Sequence, residues 1–141
     1  MGKMIIESPT FSPLRKIMHP SGDIFHGLRK SDKGYSGFGE AYFTTIHFEE
    51  IKGWKKHKKM QMNLIVATGN VRFYIYDDEI GKFEYYELGS KNYGRLTVPP
   101  GLWMAFTGLD PGVNLILNIA NIEHEPSEAT NMPIETFPLP Y

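Results

Sequence analysis

Fourteen glycines and ten prolines punctuate this chain of 141 residues, and the runs between them are short, β-branched and aromatic. Glycine supplies positive φ and proline fixes φ near −65°, so each cluster marks a turn. Many short elements joined by tight turns follow from that spacing, rather than a few long helices. His19-Pro20-Ser21-Gly22-Asp23 is such a turn, and Pro99-Pro100-Gly101 is another, placed before Leu102-Trp103-Met104-Ala105-Phe106.

Between the turns the pattern is that of strands. Glu40 to Phe48 carries Tyr42, Phe43, Thr44, Thr45 and Ile46, a β-branched and aromatic run. A strand over Asp23 to Arg29 precedes it, followed by a Gly/Ser-rich loop over residues 31–39. Met60 to Thr68 alternates, with Asn63, Ile65 and Ala67 on one face and Leu64 and Val66 on the other. Val71 to Asp77 alternates again, and Gly69-Asn70 between these two runs predicts a hairpin. Phe83 to Leu88, Gly94 to Val98 and Asn114 to Ala120 complete the set, and only Glu123 to Thr130 is suited to a helical turn. Regular short strands with almost no helix predict an all-β sandwich or barrel.

No repeat or low-complexity linker divides the sequence, so residues 1–141 are read as one domain, with 1–20 either an edge strand or a swapped arm. A chain of this length buries roughly two-thirds of its extended surface on folding. Fifteen basic residues balance sixteen acidic ones, which gives no whole-protein field to recruit nucleic acid or an anionic membrane. There is no cysteine, hence no disulfide and no thiolate metal site. The first 20 residues lack a continuous apolar stretch, and a cytoplasmic location is the default expectation.

Three segments are suited to chemistry. Lys52-Gly53-Trp54-Lys55-Lys56-His57-Lys58-Lys59 is either a solvated loop or the rim of a pocket that attracts a pyrophosphate. In the second case His57 is a proton-transfer group working near neutral pH, and the tryptophan stacks on a ring. Val98-Pro99-Pro100-Gly101-Leu102-Trp103-Met104 is explained fully as a turn feeding a core strand. Asn118 lies inside an apolar strand, where an unpaired amide costs a few kcal/mol, so it bonds either the core or a ligand. The histidines at 19, 26, 47, 57 and 124 show no metal-ligand spacing.

Taken in order, Phe38-Gly39-Glu40-Ala41-Tyr42-Phe43, Gly53-Trp54-Lys55-Lys56-His57-Lys58, Gly69-Asn70-Val71 closing in Tyr76-Asp77-Asp78, and Pro99-Pro100-Gly101-Leu102-Trp103 resemble the dTDP-4-dehydrorhamnose 3,5-epimerase family, in its short, divergent members. The resemblance spans about residues 15–135. Related sugar-nucleotide 3,4-ketoisomerases share a Gly-aromatic-His-x-His-Lys segment. What this implies is a jelly-roll cupin, a homodimer, no metal and no other cofactor, acting on a nucleotide-diphospho 4-keto-6-deoxy sugar in deoxysugar or polysaccharide biosynthesis. The chemistry is proton removal beside a carbonyl, stabilisation of an enolate, and reprotonation.

The chain departs from that family at its reactive positions. Lys55 stands where a histidine is expected, Asn118 where the catalytic tyrosine is expected, and Met104 where many cupins place a histidine. His57 is therefore the first candidate proton carrier and Lys55 the second. Asn118 and Asn63 are expected to hold the sugar, Arg72, Lys52 and Lys59 the diphosphate, and Trp54, Trp103 and Tyr74 to wall the pocket. Strand parity sets a condition: with Arg72 and Tyr74 inside, Val71, Phe73 and Ile75 must face another packed layer. The rival reading is a cupin that binds nucleotide sugars without turning them over.

Overall fold

The computed structural model describes residues 6–140. In chain order its strands are β1 (Thr10–Pro13), β2 (Lys16–Ile17), β3 (Ile24–Phe25), β4 (Glu40–Thr45), β5 (Ile51–His57), β6 (Met62–Thr68), β7 (Asn70–Asp77), β8 (Lys82–Gly89), β9 (Gly94–Val98), β10 (Trp103–Gly108), β11 (Leu115–Ala120) and β12 (Ala129–Met132). Two 3-10 turns, Pro126–Glu128 and Ile134–Thr136, are the helical elements among the described residues. The strands form two five-stranded sheets, ordered β1-β9-β6-β11-β4 and β12-β5-β10-β7-β8, with β2 and β3 as a separate ribbon. The result is a jelly-roll sandwich.

Alternation along each strand sorts the side chains. Leu64 and Val66 of β6, Leu96 and Val98 of β9, and Ile116 of β11 meet Val71, Phe73 and Ile75 of β7, Leu88 of β8 and Met104 of β10 in one buried core between the sheets. Val71, Phe73 and Ile75 thus take the inner face, and Arg72 and Tyr74 take the outer one. A second cluster covers the outer face of the β5–β10–β7 sheet. There Trp54, Tyr74, Trp103 and Ala105 pack with Phe83, Ile134, Phe137 and Leu139. The indole N–H of Trp54 donates to the carbonyls of Ile134 and Phe137, so the chain after β12 is strapped over this face.

Two expectations need correction. The Gly69 turn does not close a hairpin, because β6 pairs with β9 and β11 whereas β7 pairs with β8 and β10. The chain instead crosses there from one sheet to the other. Gly69 sits at φ +81°, and a Cβ on it would collide with the Val113 carbonyl. The Asn114 amide fixes this corner, accepting from the Asn70 and Asp110 N–H groups and donating to the Ile46 and Asp110 carbonyls. The true hairpin is β7–β8, turning through residues 78–81. The strand expected over residues 23–29 shortens to Ile24–Phe25, because the following loop folds onto the outer face of the β9–β6 pair instead.

Candidate active site

β5 does not alternate strictly. Against β10, Met104 pairs with Lys55 but Phe106 pairs with Lys52, so Gly53 and Trp54 together oppose the single residue Ala105. This bulge reverses the parity of the strand. Simple alternation would place Lys52 on the outer face beside Trp54 and Lys56. With the bulge, Lys52, Lys55 and His57 all line one cavity of about 290 Å³ between the sheets. Glycine at position 53 lets the backbone pass close to the strap, where a Cβ would meet Met132 O and Ile134 N at 3.4 Å.

The cavity has an apolar floor and one polar wall. Leu64, Phe73, Met104, Phe106 and Ile116 form the floor. Tyr42 and Thr44 of β4 and Asn118 of β11 join the three β5 side chains on the polar side. Lys52 Nζ donates to Thr44 Oγ1 at 3.0 Å and Thr45 O at 2.8 Å, tying the edge of one sheet to the other across the cavity wall. The Lys55 side chain has no hydrogen-bond or ion-pair partner among the described residues, which leaves a free cation in the site.

His57 is 6% exposed, and its Nδ1 lies 2.8 Å from Oε2 of Glu128, which is itself buried. The other Glu128 oxygen accepts from the backbone N–H groups of Lys59 and Met60, at 2.8 and 2.7 Å. Burial opposes the charge on Glu128, but the His57 hydrogen bond and these two amides outweigh it and hold the carboxyl below its ordinary pKa of 4.5. At neutral pH Glu128 is therefore a carboxylate and can only accept, so His57 Nδ1 carries the proton. Nε2, the other ring nitrogen, takes no part in this pair.

Asn118 faces Tyr42 across the β11–β4 pair, and its Nδ2 donates to the Tyr42 hydroxyl at 3.1 Å. Its Oδ1 is buried with no partner among the described residues. A buried acceptor left unpaired is costly, and a hydroxyl or N–H of a bound ligand would satisfy it.

The structure thus brings His57, Lys55, Lys52 and Asn118 together, and puts the other expected site residues elsewhere. Asn63 lies on the outer face of β6, where Arg95 Nε and Thr97 Oγ1 donate to its Oδ1 and its Nδ2 donates to Gly34 O; it is a satisfied structural amide. Arg72 pairs with Glu87 on the outer face of the other sheet and reaches the Tyr74 hydroxyl, so neither Arg72 nor Tyr74 walls the cavity. Trp54 and Trp103 belong to the strapped cluster, with Trp103 Nε1 donating to Asp78. Lys59 lies beyond the end of β5 with an exposed side chain and contributes its backbone to Glu128, not its ammonium to the cavity. In each case strand parity, or a position beyond the strand, decides the placement.

Sequence reasoning missed Glu128 and the site role of Tyr42. Glu128 lies 71 positions from His57 and nothing local marks it. Tyr42 had a detectable signal, since it shares parity with Thr44 on β4, but its register against Asn118 required the sheet order.

No family model matches the sequence, and no curated protein does. Solved structures do match. A dTDP sugar isomerase from Desulfovibrio desulfuricans G20 superposes with a TM-score of 0.88 at 29% identity, over 92% of this chain and 87% of that one. A sugar 3,4-ketoisomerase from Thermoanaerobacterium thermosaccharolyticum, solved in complex with TDP, gives 0.75 at 17% identity over 89% of each chain. The dTDP-4-dehydrorhamnose 3,5-epimerase from Sulfolobus tokodaii gives 0.83 at 14% identity, over 97% of this chain and 84% of that one. The chain has the jelly-roll fold of the sugar-nucleotide epimerases and ketoisomerases, and it resembles them in structure as it does in sequence.

Proposed function

We propose that the chain is an epimerase or ketoisomerase of a nucleotide-diphospho 4-keto-6-deoxy sugar, working without a cofactor. The observation that carries this reading is the His57–Glu128 pair at the cavity wall. A buried carboxylate fixes the tautomer and orientation of the imidazole, and Nε2 is presented to the cavity as a base.

In this reading the sugar lies on the apolar floor with its 4-keto oxygen toward Lys55. Nε2 of His57 removes a proton from the carbon next to the carbonyl. The electron pair moves into the C–C–O unit, and the resulting enolate oxygen is met by the Lys55 ammonium. Asn118 Oδ1 accepts from a sugar hydroxyl, which gives the buried oxygen its missing partner. Returning a proton to the same carbon from the opposite face inverts it. Returning it to the former carbonyl carbon, while the hydroxyl on the deprotonated carbon passes its proton to the enolate oxygen, moves the carbonyl instead. The Tyr42 hydroxyl, held by Asn118, is the proposed donor for the return step. Lys52 sits where a diphosphate enters.

The observation that favours a non-catalytic binder is Asn118 itself, an amide at the position where the resemblance leads one to expect a tyrosine. Activity decides between the two. Purified protein given dTDP-linked 4-keto-6-deoxyglucose is expected to form an isomeric product, with His57→Gln slower by about 10³-fold. Tight binding with no product from the unmodified chain would establish the binder.

Assembly and location belong to the same proposal. Phe43 on the edge strand β4 is 67% exposed, and Met18, Ile24 and Phe38 are also exposed. Apolar side chains on a sheet edge suit burial against a second copy. We expect a homodimer in the cytoplasm, serving deoxysugar or polysaccharide synthesis. No helix among the described residues is long and apolar enough to cross a membrane.

A further inference from the structure

A second cavity, of about 360 Å³, lies against the outer face of the β9–β6 pair. It is bounded by residues 12–15 at the end of β1, by residues 26–33 of the loop after β3, and by Arg95 of β9. Arg95 and Leu96 point to opposite faces of their strand, so the sheet itself separates this cavity from the one that holds His57.

Its charge is one-sided. Arg15, Arg29, Lys33 and Arg95 line it against one carboxylate, Asp32, in a chain whose formal net charge is −1. Asp32 is already shared, since it pairs with Arg29 at 3.1 Å and with Arg95 at 3.3 Å. The side chains of Arg15 and Lys33 have no partner among the described residues. Arg95 is 2% exposed, and burial pushes its guanidinium pKa down despite the opposing pull of Asp32, which is the state of a buried cation short of counter-charge.

A second, independent observation comes from His26. Its backbone is fixed at both ends, the N–H donating to Arg15 O and the carbonyl accepting from the Tyr93 hydroxyl. Its Nε2 is nevertheless buried with no hydrogen-bond partner among the described residues. Arginine forks lining one cavity with a histidine suit the oxygens of a phosphoryl group.

We propose that this cavity is a second binding site, for the phosphoryl group of a phosphate ester or diphosphate. An oxyanion there accepts from His26 Nε2–H, from Arg15 and from Lys33, and supplies the charge that Asp32 cannot give to Arg29 and Arg95 together. The site is independent of catalysis at His57 and stands whether or not the first cavity turns over a sugar.

The test titrates the full chain at low ionic strength with inorganic pyrophosphate, thymidine 5′-monophosphate and thymidine, following backbone amides by NMR. The first two ligands are expected to shift amides in residues 26–33 and at Arg95, and thymidine to leave them unmoved. Comparable shifts with both would assign recognition to the phosphoryl group; a response to the nucleotide alone would overturn the phosphoryl assignment. Arg15→Glu/Lys33→Glu is expected to weaken binding at least about tenfold, while Lys55→Glu in the first cavity leaves it intact. Because both changes are at exposed positions the melting temperature should hold, and Arg15→Gln with His26→Gln is the milder pair should it not. Binding by either pair within about twofold of the unmodified chain, or shifts confined to residues 52–57 and lost in Lys55→Glu, would overturn the proposal.

Discussion

Glu128 spends its charge on three hydrogen bonds, one to His57 and two to backbone amides at the end of β5. It therefore has a structural and a chemical consequence, and the two separate by pH. Its folded pKa lies below the ordinary 4.5, so the unfolded form binds protons more readily. The stabilisation is present in full above that ordinary value and is lost as pH falls through the folded one. Glu128→Gln should thus be less stable than the unmodified chain at pH 7, and the gap should narrow in acid, which thermal melts across pH 3–7 would show. The same change removes the charge that orients the imidazole. Catalytic rate should fall by about 10²-fold or more with the substrate affinity little altered. Equal loss of rate and affinity would mean that Glu128 merely supports the fold. Asn118→Leu provides the complementary case. It removes the unsatisfied oxygen and the bond to Tyr42, so substrate affinity should fall by about tenfold while the melting temperature holds or rises.

At the scale of elements, the bulge in β5 and the corner at Gly69 explain what was legible in the sequence and what was not. The runs that became β4, β6, β7, β9 and β11 were visible because alternation and β-branched composition are local properties. The pairing of β6 with β9 and β11 was not, because a Gly-Asn step between two alternating runs has the same local chemistry whether the chain turns back or crosses between sheets. Asn114 decides it from 44 positions away. Likewise His57 could be picked out from its lysine-rich segment, but the inward turn of Lys52 depends on a bulge that exists only against β10. Trp54, Tyr74 and Trp103, expected as pocket walls, instead pack under the strap. Composition shows that large aromatics will be buried, and the sheet face on which they are buried depends on parity and bulges. Asn114→Ala should cost about 1–3 kcal/mol by stranding buried backbone groups at the corner. Trp54→Ala should cost about 3–5 kcal/mol through the cavity it leaves under the strap. Both are measurable by urea denaturation, and a cost below about 0.5 kcal/mol at either site would contradict the packing described.

For the whole molecule, the sandwich separates labour by surface. The space between the sheets holds the polar wall with His57 and Lys55, the outer face of one sheet is closed by the C-terminal strap, and the outer face of the other carries the basic cavity around Arg95. Phe43 stands exposed on the edge strand β4 of that second sheet. Sedimentation should give a dimer, and Phe43→Lys should shift it toward monomer; an unmodified chain that stays monomeric at high concentration would remove the assembly proposal. The central claim, though, is that His57 abstracts a proton from carbon. It is tested most directly by incubating the protein in deuterated water with dTDP-linked 4-keto-6-deoxyglucose and following the C3 and C5 protons by NMR. The account predicts loss of at least one of these signals with the unmodified chain and its retention with His57→Gln. Exchange that persists undiminished in His57→Gln, or saturable binding with no exchange at either carbon, would contradict it.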